Sequence, residues 1–147
     1  MAERIFIRQD HQFRTLFFAA DPEDPASLEF EEIENIHQLT PYGMLLSSLG
    51  SCTALVLHTY AQNNDVDLIE VEIHLDYQRV FRDDCEDCDE DQEYTEEITE
   101  KILLKGDLPA PIREVLLRVA HLCPVYKMMT EGIRLQTELI EGKETEE

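Results

Sequence analysis

Residues 40–63, TPYGMLLSSLGSCTALVLHTYAQN, decide how the rest of the chain is read. Thr40 offers a side-chain oxygen to a helix start, and Pro41 suits the first helical position, where no N–H is needed. Met44, Leu45, Leu49, Cys52, Leu55, Val56 and Tyr60 recur at helical spacings, while Leu46, Ala54 and Leu57 carry apolar character round most of the circumference. The pattern predicts a helix over 42–63, buried on nearly all sides. Its middle is built of small residues, which let another element come close or leave a hollow beside Cys52.

Beyond the helix, 66–81 alternates. Ile69, Val71, Ile73, Leu75 and Tyr77 point one way and Glu70, Glu72, His74, Asp76 and Gln78 the other, which predicts a long strand with one face in a core. Residues 83–100 hold eleven acids and no base, an acidic loop or hairpin extension centred on 83–97. Strand character resumes over 98–105 and stops at Gly106. A second helix is expected over 110–122, with an apolar stripe of Ile112, Val115, Leu116, Val119 and Ala120. Pro124 breaks it and opens a short helix over 125–130, with Cys123 as its N-cap. Ile133, Leu135, Thr137 and Leu139 alternate as a last strand, and 141–147 is a polar, frayed tail. On the other side of the long helix, 4–8 and 13–18 read as short strands within an N-terminal region of strands over 1–40, and two prolines make 21–25 a loop. The order implies one α+β domain over 1–147 with a mostly antiparallel sheet.

Length and charge narrow the function. A chain of 147 residues suffices for a packed core without staples. With 12 Lys and Arg against 33 Asp and Glu, the net charge of −21 sets up a field that repels nucleic acid and anionic membrane surfaces. No apolar run is expected to span a bilayer, and 1–4 lack the apolar core of a secretory signal. Four cysteines in such a chain point to a reducing, cytoplasmic setting.

The cysteines carry the chemistry, and each has two readings. Cys123, at a helix N-terminus with His121 and Lys127 near in sequence, has the setting of a stabilised thiolate; it equally fits a small buried residue at a bend. Cys52 lies mid-helix, either beside a hollow or in a tight contact. Cys85 and Cys88 form a CxxC that can supply half of a zinc site or a redox pair, or lie in a solvated loop; no second CxxC and no HxH or HExxH spacing supports a metal. Neither a GxSxG elbow nor a phosphate-binding glycine loop is present, and no cofactor is called for.

Two segments together are more specific than either alone. Residues 40–54 resemble the "PxELLLAALGSCTA" helix of the OsmC/Ohr family, and His121, Leu122, Cys123, Pro124 and Val125 resemble its second, "CPV" motif. The resemblance covers about 41–139, and residues 84–88 look like the "DCxDC" insertion of one OsmC-like branch. It implies an OsmC-like fold, with two central helices packed against β-sheets in an intertwined homodimer. It also implies a thiol peroxidase of organic hydroperoxides, a stress-response activity in which Cys52 is the peroxidatic residue, Cys123 resolves it as a disulfide, and an external dithiol restores both. A small hydrophobic peroxide or ligand would occupy the seam. Family peroxidases carry a Glu just after the helix proline that orients an Arg; here the segment reads Tyr42, Gly43, Met44. With no arginine between Arg14 and Arg79, the activating Arg is expected from Arg4, Arg8 or Arg14, with Arg14 the choice. The missing Glu leaves a second expectation, a binding protein of the same fold without peroxidase competence.

Overall fold

The computed structural model describes residues 2–81 and 94–142. Five strands, β1 (Ala2–Asp10), β2 (Thr15–Ala20), β3 (Phe30–Glu32), β4 (Leu68–Phe81) and β5 (Tyr94–Gly106), form one sheet in the order β3-β2-β1-β4-β5. Every pairing in it is antiparallel. Three helices complete the α+β fold: α1 (Pro41–Asn63), α2 (Ala110–Ala120) and α3 (Pro124–Glu131).

The start of α1 follows from its first residues. Pro41 occupies the first helical position, and the Thr40 hydroxyl oxygen accepts the Gly43 N–H at 3.0 Å. The same hydroxyl donates to Glu3 Oε1 at 2.8 Å, which ties the helix start to β1. α1 then lies on the face of the sheet formed by Ile5, Ile7, Val71, Ile73, Leu75 and Tyr77, all buried. Leu46, Leu49, Leu57 and Ala61 fill that contact, and each fully buried Leu or Ile contributes about 1.5–3 kcal/mol. α2 and α3 pack against α1 and seal its flank through Leu116, Val119, Ala120 and Cys123.

Several expectations change. The long helix is not enclosed on nearly all sides: Met44, Leu45 and Leu55 stay between 38% and 49% exposed, on one side of α1 that the chain leaves open. α1 is also long and apolar enough by length and composition to cross a membrane, against the expectation of no such run; half of it is buried on the sheet, as a core helix is. In β4, Ile69 is exposed and Leu68 takes the core position, because a bulge lies between Leu68 and Glu70. The bulge faces Gly106, whose φ of +150° and tight fit against the Asp67 carbonyl oxygen leave no room for a Cβ. β5 begins at Tyr94, so 94–97 are strand and not loop. The last strand is absent: 132–142 pair with nothing among the described residues, and Leu135 and Leu139 stand 82% and 101% exposed. An alternating pattern becomes a strand only when a sheet edge pairs with it, and neither edge strand, β3 or β5, pairs with this segment.

Candidate functional site

The end of α2 and the start of α3 bring the two signature cysteines together. Pro124 has no N–H to donate and sits at the first position of α3, so the first free amides of that helix belong to Val125 and Tyr126. Cys123 is the N-cap, fully buried, and its Sγ accepts the Tyr126 N–H at 3.4 Å. Cys52, half-buried on α1, lies close enough to the Cys123 thiol and the Val125 N–H for both to act on it. Both thiols are free. The first turn of α3 thus turns its free backbone N–H groups toward both sulfurs, with the Tyr126 N–H bonded to Cys123.

The electrostatics at Cys52 run the other way. Burial pushes its thiol up from the ordinary value of 9.0, the Cys123 contact and the nearby Glu100 push further, and only the Val125 N–H opposes them. Glu100 is a half-buried carboxylate on β5, held by the Thr53 Oγ1–Oε2 hydrogen bond of 2.9 Å. Burial pushes its carboxyl up, while the Thr53 hydroxyl and the charge of His121 pull it down.

Glu100 opens onto a cavity of about 420 Å³. Leu45, Leu49, Ile98 and Met129 give it apolar walls, and Tyr42, Tyr77, Tyr126 and Glu96 line it as well. Leu49 is one helical turn before Cys52 and Tyr126 is the residue bonded to Cys123, so the cavity lies near the thiol pair, although neither cysteine lines it. At Tyr42 and Tyr77, whose rings stack at 4.6 Å, Arg79 donates to both phenol oxygens at 3.2 and 3.4 Å and lies 4.7 Å from the Tyr94 ring. These contacts raise the pKa of the guanidinium still further. Tyr77 donates to Glu96 at 2.8 Å.

The arginine expected beside Cys52 lies elsewhere. Arg14 sits just past the β1–β2 turn, three-quarters exposed and paired with Asp10 at 2.8 Å. That turn packs beside Gln62, which donates to the His11 carbonyl. Gln62 is ten residues beyond Cys52, about 15 Å along the helix. Arg4 binds the carbonyls of Asp24 and Ser27, and Arg8 pairs with Glu70 and Glu72; both are on the sheet face away from α1. Cys85 and Cys88 lie outside the described residues. Among the described residues, no cluster of His, Cys, Asp and Glu could hold a metal. Glu100, Thr53 and Arg79 were not singled out from the sequence. Strand parity carried the signal for two of them: Glu100 falls between Ile98 and Ile102, and Arg79 follows Leu75 and Tyr77, each on its strand's core-facing side.

Comparison with known proteins completes the picture. The family model described as OsmC-like protein matches residues 34–138. Among solved structures, the chain is similar to the crystal structure of an OsmC-like hydroperoxide resistance protein from Jannaschia sp. CCS1, with a TM-score of 0.56 and 14% identity over 98% of this chain and 96% of that one. A likeness at that identity speaks for the fold. No curated protein matches the chain.

Proposed function

This chain belongs to the OsmC-like protein family, and from that premise we propose that it is a thiol peroxidase of organic hydroperoxides, working in the reducing cytoplasm. The observation that carries the reading is the contact between Cys52 and Cys123 beside a largely apolar cavity of about 420 Å³. The solved OsmC-like neighbour, titled a hydroperoxide resistance protein, supports the same direction. Cys52 attacks the terminal peroxide oxygen, the O–O bond breaks, and an alcohol leaves while Cys52 becomes a sulfenic acid. The Cys123 thiol then displaces water to form a disulfide, and an external dithiol reduces it. The apolar walls favour peroxides that carry a hydrocarbon group over hydrogen peroxide.

The chain acts as a homodimer in this reading. Two features support it: the open apolar side of α1, and the extended segment 132–142 with Ile133, Leu135, Leu139 and Ile140 between 59% and 101% exposed. Light scattering should give twice the 17.1 kDa chain mass, and a chain ending at Glu131 should shift toward monomer.

The test of activity is consumption of tert-butyl hydroperoxide with dithiothreitol. Turnover that Cys52→Ser and Cys123→Ser both abolish supports the proposal; a wild-type rate equal to that of Cys52→Ser ends it. A second reading, a binding protein without peroxidase competence, is favoured by a specific observation: the Cys52 thiol is pushed up, and among the described residues no arginine stands with the groups acting on it. Native mass spectrometry of protein from its host, with a retained small molecule in an inert enzyme, would select that reading.

A further inference from the structure

The peroxide step needs a proton to leave Cys52 and a proton to reach the departing alkoxide. The groups that act on Cys52 are the Cys123 thiol, the Val125 N–H and Glu100. Of these, Glu100 is the carboxylate, the group that can accept a proton and give it back. Its placement is deliberate in the strand. It holds the core-facing position between Ile98 and Ile102, and Leu75 is its partner on β4. Oε2 is fixed by the buried Thr53, the residue that follows Cys52, while Oε1 accepts no hydrogen bond among the described residues. The carboxylate also lines the cavity in which a peroxide would lie.

We propose that Glu100 is the proton shuttle of the peroxide step: its carboxylate takes the Cys52 proton as the sulfur attacks, and returns it to the alkoxide as the O–O bond breaks. The inference rests on the peroxidase reading. Its balance closes: the S–H and O–O bonds break, S–O and O–H bonds form, sulfur loses two electrons to the peroxide, and Glu100 ends as it began. The charged and titratable groups around the carboxylate are Cys52 from α1, His121 at the end of α2, and Cys123 and Tyr126 at α3. Tyr77 and Glu96 line the same cavity and Leu75 on β4 does not titrate. Burial also pushes the Glu100 carboxyl up from the ordinary carboxylate value, which makes it the better proton acceptor.

A charge-only role for Glu100 predicts the opposite outcome, so the two separate cleanly. In Glu100→Gln, loss of the negative charge should speed iodoacetamide alkylation of Cys52 severalfold. Loss of the shuttle should lower kcat/KM for tert-butyl hydroperoxide by about a hundredfold or more. The wild-type pH profile should carry an acidic limb that Glu100→Gln lacks, and Glu100→Asp should recover part of the rate. Thr53→Val keeps the carboxylate but removes its hydrogen bond, so the limb should move to higher pH. Peroxidase turnover in Glu100→Gln equal to or faster than wild type overturns the inference. So does an acidic limb that Thr53→Val leaves in place, the readout to use if Glu100→Gln does not fold. An inert wild type, by contrast, removes the peroxidase reading itself.

Discussion

Replacing Gly50 with alanine tests how closely α1 lies on the sheet, and two opposing terms decide the outcome. Helix propensity alone predicts a gain of about 1 kcal/mol, because Gly50 is in the middle of a 23-residue helix. The structure predicts otherwise. A Cβ at that position would stand 2.7 Å from Leu75 Cδ1 and 2.8 Å from Ile7 Cδ1, with Ile7 Cγ1 at 3.2 Å. Carbon atoms in contact sit about 3.5–4.0 Å apart. The new methyl is therefore at least about 0.7 Å too close to two side chains, on two neighbouring strands, and both are fully buried. Overpacking of this kind costs about 1–3 kcal/mol, so the net expectation is a loss of about 1 kcal/mol.

Gly43→Ala is the control: there a Cβ meets Leu39 Cδ2 at 3.3 Å and Ile5 Cδ1 at 3.6 Å, near ordinary contact. That variant should be neutral or slightly stabilised. The difference between the two, read from urea midpoints at unchanged slope, cancels much of the propensity gain and should be about 1–3 kcal/mol. A Gly50→Ala protein as stable as wild type or more so would refute the close approach. Any outward shift of α1 also displaces Cys52, two residues on, from its place beside Cys123. The same variant should therefore form the Cys52–Cys123 disulfide more slowly after one equivalent of peroxide.

Three further outcomes follow from the site and the core. Cys123→Ser should stop at the Cys52 sulfenic acid, which dimedone traps and intact mass reads as a single adduct, whereas wild type should give the disulfide and no adduct. Iodoacetamide should alkylate Cys52 slowly at pH 7, with a rate still rising above pH 9, because burial, the Cys123 contact and Glu100 hold its thiol above 9.0; a plateau below pH 8 would contradict the electrostatics described. The fully buried His58, bonded through Nε2 to the Gln9 carbonyl at 3.0 Å, has its pKa pushed below 6.5 by burial. The unfolded chain then binds the proton first, so this contribution to stability is whole above pH 6.5 and declines as pH falls toward the lowered folded value. Denaturant midpoints should show that decline, and His58→Gln should flatten it.

Local physics made much of this legible in the sequence. The N-cap at Thr40 with Pro41, and the Cys123 cap ahead of Pro124, are decided within a few residues, and both stand as read. The small residues before Cys52 do mark a close approach, at Gly50. Two expectations failed on partners distant in the chain. Ile69 reads as a core residue by alternation, and only the bulge opposite Gly106 turns it outward. The alternation of 133–139 is real, but no strand of the described chain pairs with it. Arg14 is held at the hairpin by Asp10, four residues before it, and not beside Cys52. Glu100 was absorbed into an acidic run, although its spacing from Ile98 and Ile102 set it apart from the acids before it.

The loss of the helix Glu and the position of Glu100 belong to one argument. An enzyme that keeps a resting thiolate needs positive charge at the sulfur, and here, among the described residues, the favourable group is a single backbone N–H from Val125. Three effects oppose it, and one of them is a carboxylate. A thiol in that setting starts the reaction protonated, so charge stabilisation cannot be what makes it reactive. Removing the proton during the attack avoids the need for it. The same carboxylate that disfavours the free thiolate is the group positioned to take the proton, so its two effects on Cys52 have opposite signs in the resting and reacting states. That is why alkylation and peroxide turnover are expected to diverge when Glu100 is neutralised. A protein in which the two rates rose together would have Glu100 as a repelling charge and nothing more.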